Sequence, residues 1–365
     1  MNILVTGAKG FLGKNLCAHL KAATDCRVLE FDLGTGDALL EEYAADCGFI
    51  FHLAGVNRPE EEREFMEGNF GFSEKLLKLL EKHNNTPPVV LSSSIQAELD
   101  NPYGKSKKAG EELFKDYSGE AFIYRLVNLF GKWSRPDYNS VVATFCFNIA
   151  RGLDVRVDSP GAELTLCYVD DVVEEFMKAM AGNPSKEGEY CRVEKTYSTR
   201  LGELESMIRK FKESTETLEV PDMSDEFVKK LYSTYLSFLP EDGFSYPLSM
   251  KADSRGSFTE FLRTPDRGQV SVNIQKPGIT KGNHWHHTKT ENFLVVKGEA
   301  VIKFREVNSE KILEYRVSGD KLEVVRIPPG YTHNITNISD EDLVTVMWAN
   351  EGFNPERPDT YPMEL

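Results

Sequence analysis

Two hydrophobic rhythms divide this chain near residue 240, and a single domain accommodates only one of them. Before that point short β-rich runs (NILVTG, RVLEFD, GFIFHLAG, PVVLSSS, AFIYRLVN) alternate with amphipathic stretches such as SEKLLKLLEKH and KKAGEELFKDY. Alternation of this kind predicts a doubly wound α/β domain, a parallel sheet with helices on both faces. The charged segment 201–235 is read as largely helical, and LPEDGFSYPL, where Pro and Gly come together, as a linker. Beyond it helix-length patterns stop. QVSVNIQ, NFLVVKGEAVIKFR, KILEYRVSGD, LEVVRIPPG, HNITNIS and LVTVMWAN are strands separated by short turns, which predicts an all-β sandwich or barrel of ~110 residues. We therefore expect an α/β domain over 1–245 and an all-β domain over 246–365.

The formal net charge of −15 argues against nucleic acid or an anionic membrane bound through bulk charge. The chain opens directly into a strand-and-turn pattern, so no signal peptide is expected, and no apolar run approaches the ~20 residues of a membrane span. Cysteines 17, 26, 47, 146, 167 and 191 are scattered, without a CxxC pair. That usage fits buried free thiols in a reducing cytoplasm.

NILVTGAKGFLGKNL places Gly7, Gly10 and Gly13 after a strand and at the start of a helix. Such glycines permit a tight turn, close approach of the backbone to a pyrophosphate, and packing of helix on strand; the helix N-terminus then faces the phosphates. The second strand ends in Asp32, ~20 residues on, where a carboxylate accepts from a ribose 2′-OH. In NPYGKSKKAGEELF, Asn101 and Pro102 mark a helix start, which puts Tyr103 and Lys107 one turn apart on one face. A tyrosine passes a proton to a carbonyl oxygen when its pKa is lowered, and a nearby ammonium lowers it. The serines of VVLSSSIQ, residues 92–94, end a strand and offer hydroxyls to the same oxygen.

TGAKGFLG, FHLAG (51–55), SSS (92–94), YGKSK (103–107), RLVNLFG (125–131) and YVDDVV (168–173) occur in the order found in the extended short-chain dehydrogenase/reductases of nucleotide sugars, which residues 1 to about 200 resemble. The resemblance implies a Rossmann-type fold and Tyr103 as acid/base with Lys107 as its partner. It implies Ser94 as the helping hydroxyl, with Ser92 and Ser93 open because Tyr103 follows Ser94 by only nine positions. It places the nicotinamide cofactor on Gly7, Lys9, Gly10, Phe11, Gly13, Asp32, Leu53, Ala54, Gly55, Tyr103 and Lys107. Asp32 resembles NAD-binding members, whereas Lys9 in the glycine loop could neutralise the 2′-phosphate of NADP(H), so both nicotinamides stay open.

In HWHHTKTENFLVV, His284 and His286 share a strand face and His287 points away. With Glu291 and His333 they make a donor set suited to a divalent first-row metal, zinc above all. The spacings Gly278-x5-His284-x-His286-x4-Glu291-x6-Gly298 and Pro328-x-Gly330-x2-His333-x3-Asn337 resemble the two cupin motifs, with Leu322 where a glycine belongs. The resemblance implies a jelly-roll barrel with a metal on His284, His286, Glu291 and His333. A second likeness competes. ADSRGSFTEF, TKGNH and IPPGYTH resemble the metal-free sugar-nucleotide 3,5-epimerases, which would make His284 a catalytic base and Lys281 its cationic neighbour.

Over essentially its whole length, with TPDRGQVSVNI and KPGITKGNHWHHTK as specific stretches, the chain is similar to the bifunctional capsular-polysaccharide enzymes. That similarity implies a barrel that epimerises C3 of a UDP-4-keto-2-acetamido-2,6-dideoxyhexose. It implies a front domain that reduces C4 with NADPH, giving an L-talose-configured precursor of UDP-N-acetyl-L-fucosamine. Two rivals stay open: a reductase whose cupin is a dimerisation or sensing module, and a metal-dependent oxygenase fused to a dehydrogenase. A homodimer is expected, from edge strands or helices pairing.

Overall fold

The computed structural model describes every residue from Met1 to Leu365. The chain forms two compact units, Met1–Lys210 with Lys229–Glu241, and Phe211–Val228 with Asp242–Leu365. The second unit takes up the chain from Asp242, with one excursion. Leu218 and Val220 hydrogen-bond the backbone of Arg263, at 2.7 and 2.8 Å, so 211–228 is grouped with the second unit. No helix is long and apolar enough to cross a membrane.

In the first unit five strands run parallel in the spatial order Arg27–Phe31, Asn2–Thr6, Phe49–His52, Val89–Ser94, Ala121–Leu126. The short strands Tyr190–Cys191 and Lys186–Glu187 extend the far edge. The strands are buried on both faces, which is why they are near-continuous apolar runs. Ile3 and Val5 join Phe51, Tyr124 and Phe176 on one side of the sheet. Leu4 joins Ile50, Leu91 and Phe114 on the other. Each such side chain contributes about 1.5–3 kcal/mol by leaving water. The helices Phe11–Ala23 and Pro102–Lys115 cover the sheet. The second starts where Asn101 accepts from the Gly104 N–H at 2.7 Å, with Pro102 in its first turn.

The second unit is a double antiparallel sheet, a jelly-roll arrangement. One sheet holds Lys251–Asp253, Gly256–Thr264, Gly268–Gln275, Leu343–Ala349, Glu291–Lys297 and Val324–Ile327. The other holds Ile312–Ser318, Glu299–Glu306, Tyr331–Asn337, Thr280–Trp285 and Tyr361–Pro362. Part of the interior is apolar, built on Phe293, Val295, Ile302, Phe304 and Ile335. The strand Gly268–Gln275 is inverted: Gln269, Ser271, Asn273 and Gln275 are buried while Val270, Val272 and Ile274 are half-exposed. Thr345, fully buried, lies opposite Asn273. The barrel therefore encloses a polar wall.

Candidate functional site

The strand Asn2–Thr6 lies between its two neighbours where the chain reverses its winding direction, the place at which open α/β sheets bind ligands. Gly7 follows with φ +69°, and a Cβ on it would lie 2.8 Å from the Ala54 nitrogen. A Cβ on Gly13 would lie 2.1 Å from the Gly7 carbonyl oxygen. These glycines let loop, helix and the Leu53–Gly55 segment close on one another. Gly10 caps the helix that begins at Phe11, so its N-terminal N–H groups face the loop. The Asp32 carboxylate accepts from the backbone N–H groups of Lys9 at 2.6 Å and Leu33 at 2.7 Å, tying the glycine loop to the second strand. Leu53 and Ala54 bond the Thr6 carbonyl and hydroxyl at 3.2 and 3.3 Å. The nine loop residues expected to hold a cofactor thus form one rim. It continues to Lys107, whose Nζ would be 3.0 Å from a Cβ on Gly55.

Lys107 Nζ donates to the Ser92 carbonyl at 3.1 Å and lies 5.9 Å from the centre of the Tyr103 ring. Burial pulls the Lys107 ammonium down to about 8. Geometry separates the three serines. Ser93 gives its hydroxyl to the buried Glu111 carboxylate. Ser92 presents its carbonyl to Lys107. The Ser94 hydroxyl bonds the Tyr103 phenol. The expected lowering of the Tyr103 pKa is corrected: burial raises it, and the Ser94 contact only partly opposes that. The phenol therefore keeps its proton at neutral pH, the state an acid needs.

Asn69 had no signal in the sequence. It sits in a π-helical turn, Met66–Gly71, and is buried. Its side chain accepts from Val56 N–H at 3.0 Å and donates to Ser106 Oγ at 2.9 Å, which joins the rim to the helix of Tyr103. A buried chain supports it from below. Ser73 Oγ donates to the Asn69 carbonyl at 2.7 Å, so His52 Nε2 donates to Ser73 at 2.9 Å and His52 Nδ1 accepts from Thr6 at 2.8 Å. Burial and the Lys107 charge lower His52 to about 3, so it is neutral. A separate cleft of about 570 Å³ is lined by Arg58, Arg156, Tyr138, Asn128 and the start of the helix Val141–Arg151.

In the barrel, one donor atom each from His284, His286, Glu291 and His333 lies within 4.8 Å of the others. His284 and His333 face each other across paired strands. His286 Nε2 and His333 Nε2 stand 3.5 and 3.3 Å from Glu291 Oε2. All three atoms are buried and none makes a hydrogen bond. Each imidazole uses its other nitrogen on a backbone carbonyl: His286 on Asp359 at 2.6 Å, His333 on Tyr331 at 3.4 Å, His284 on Gly282. A carbonyl only accepts, so in a neutral ring the inward nitrogen of His286 or His333 is the one with the lone pair. Burial, aided by His333, lowers His284 to about 4. Orphaned, buried and convergent donors fit a divalent cation. His287 is exposed and packs on Trp285 at 4.5 Å, away from the cluster.

Lys281 lies three residues before His284, and a bulge at Asn283 puts both on the interior face. Its Nζ donates to Asn273 Oδ1 at 2.8 Å and the Ile274 carbonyl at 3.1 Å. Asn273, and Thr345 with its unpartnered hydroxyl, are interior polar groups that spacing alone did not mark.

Comparison with known proteins agrees with both halves. The NAD dependent epimerase/dehydratase family matches residues 3–191, and the polysaccharide biosynthesis C-terminal domain matches 251–361. A curated relative from Pseudomonas aeruginosa, UDP-2-acetamido-2,6-beta-L-arabino-hexul-4-ose reductase, is 47% identical over 99% of this chain and 98% of its own. A crystal structure of the capsular polysaccharide assembling protein CapF from Staphylococcus aureus superposes with TM-score 0.95 at 54% identity, covering both chains completely. CapF with the inhibitor 3-isopropenyl-tropolone gives 0.91 at 50% identity, again over the whole of both chains.

Proposed function

Because this chain belongs to the NAD dependent epimerase/dehydratase family and carries a polysaccharide biosynthesis C-terminal domain, we propose that it is a two-step nucleotide-sugar enzyme. Its barrel epimerises C3 of a UDP-4-keto-2-acetamido-2,6-dideoxyhexose. Its first unit then reduces C4 to a UDP-2-acetamido-2,6-dideoxy-L-talose, a precursor of UDP-N-acetyl-L-fucosamine for capsule or O-antigen. The likeness to the 4-keto-sugar reductase over nearly the whole of both chains carries this function. The order follows from chemistry: the C4 ketone acidifies the C3 hydrogen, so epimerisation precedes reduction.

In the first unit Tyr103 gives its proton to the C4 oxygen, and Ser94 and Lys107 stabilise the phenolate left behind. The glycine rim of Gly7, Gly10 and Gly13 with Asp32 would hold a reduced nicotinamide, which would supply the hydride for C4. Arg58 and Arg156 in the cleft are suited to a diphosphate. In the barrel His284, where it stands free, takes the C3 proton, Lys281 offers positive charge to the C4 oxygen as negative charge builds on it, and a proton from water returned to the opposite face of C3 completes the inversion. His286, Glu291 and His333 would hold a zinc ion, with His284 either completing the set or standing free as the base. Such an ion would supply positive charge for a developing enolate without redox chemistry.

The decisive experiment is a proton NMR time course with the 4-keto sugar in deuterium oxide, with and without NADPH. Deuterium entering C3 without nicotinamide supports the two steps. Reduction without any C3 exchange leaves the barrel a non-catalytic module. Lys107 adds a pH test. Its ammonium titrates near 8, so the charge that supports Tyr103 is present below that pH and lost above it. The reduction rate is expected to fall as pH rises through about 8, and a profile flat to pH 10 would remove Lys107 from the role.

Both nicotinamides are expected to serve. Asp32 repels a 2′-phosphate, Lys9 offsets that, and kcat/KM for NADPH over NADH should stay below about a thousandfold. A larger ratio means that Asp32 does not face the ribose. A homodimer in a reducing cytoplasm fits the half-exposed apolar face of Val270, Val272 and Ile274 and the six free thiols. Sedimentation at working concentration gives the oligomeric state.

A further inference from the structure

The segment Pro358–Glu364 makes contacts that go beyond its place in the barrel's ladder. Its short strand pairs with the ligand-bearing strand, Pro362 opposite His284 and Tyr361 opposite Trp285. The Asp359 carbonyl takes the His286 Nδ1–H at 2.6 Å. The Asp359 carboxylate takes the backbone N–H groups of His287 at 3.0 Å and of Thr288 and Lys289 at 2.8 Å each, with the Thr288 hydroxyl at 3.1 Å. Asp359 itself has φ +39°, uncommon for a residue other than glycine. The buried Lys289 ammonium rests on the Pro358 carbonyl at 3.0 Å.

The same segment also reaches the other ligand strand. Thr332, next to His333, donates its hydroxyl to the Met363 carbonyl at 2.5 Å. Met363 N–H donates to the carbonyl of Asn283, the bulge residue beside His284, at 2.9 Å. One short stretch therefore touches His286 directly and, through the Asn283 carbonyl and the Thr332 hydroxyl, the residues beside the other two imidazoles.

We propose that Pro358–Glu364 is a positioning clamp for the barrel cluster. Its Asp359 fixes the tautomer and direction of His286, and its Met363 holds the strands of His284 and His333 in register. This rests on the cluster being a metal centre. With Nδ1–H committed to a carbonyl, His286 can offer only Nε2 inward, and its ring cannot turn away without losing that bond. The Asp359 carboxylate pins the turn His287–Lys289, so the carbonyl acting on His286 stays in place.

Two variants test it: D359G, which keeps the main-chain carbonyl and relieves the unusual φ but removes the carboxylate anchor, and a chain ending at Arg357. Zinc alone is titrated against a chromophoric chelator, and long-range proton–nitrogen NMR reports the His286 tautomer. The clamp predicts zinc affinity about 10–100-fold weaker in the variants and a single Nδ1–H tautomer in the unmodified protein that becomes a mixture. If the shortened chain fails to fold, D359G decides alone. Unchanged zinc affinity or an unchanged tautomer in D359G overturns the clamp. A fixed tautomer that D359G releases, in protein that takes up no zinc, supports the clamp and rejects the metal centre instead.

Discussion

Tyr103→Phe is expected to lose ketone reduction by about 10²–10⁴-fold while deuterium exchange at C3 continues. The substitution removes one oxygen. The ring stays, and with it the contact to Phe65 at 5.7 Å, so the helix Pro102–Lys115 has little reason to move. What goes is the proton that burial keeps on the phenol at neutral pH. The Ser94 hydroxyl and Lys107 then face a carbonyl oxygen with nothing to protonate it. NADPH consumption and C3 exchange, followed in the same sample, separate the two activities. Near-normal reduction by the purified variant would defeat the assignment of Tyr103 as the acid.

His333→Ala is expected to release the metal, lower the melting temperature of the barrel and stop C3 exchange. His333 is 1% exposed, and its ring stands between His284, at 4.6 Å, and His286, at 5.5 Å, centre to centre. Its loss opens a hole and removes a donor together. A metal held at a thousand times its Kd stabilises the folded state by about 4 kcal/mol, so the fall on losing it is easily measured. His284→Ala should also stop exchange, and its metal content separates the roles: metal retained makes His284 the base, metal lost makes it a ligand. Should tag-free protein contain no stoichiometric metal while exchange proceeds in chelator, the metal centre is rejected and a metal-free epimerase mechanism replaces it.

Much of this site was legible because its spacings obey local geometry. Tyr103 and Lys107 are one helical turn apart, and Asn101-Pro102 announces the helix that carries them. The four barrel donors were visible as motif spacing, and they do converge. Legibility ended where packing decides. Nothing in SSS says which hydroxyl meets Tyr103; that follows from Glu111 claiming Ser93. Lys281 and His284 are an odd number of residues apart, so alternation alone would send them to opposite faces. The bulge at Asn283 reverses that, and only family likeness had marked Lys281. Asn69 depends on a π-turn, a backbone choice with no local signature. The Tyr103 pKa went the other way from expectation because a neighbouring ammonium is visible in a sequence and burial is not.

The inverted strand Gly268–Gln275 has a thermodynamic consequence. From residue 251 onward the buried residues are about as often polar as apolar, whereas the first unit buries mainly hydrocarbon. Exposing apolar surface raises the heat capacity and exposing polar surface lowers it. Unfolding the barrel should therefore absorb less heat capacity per residue than unfolding the nucleotide-binding unit. Its free energy then varies less steeply with temperature, and on cooling it loses less stability than the other half of the same chain.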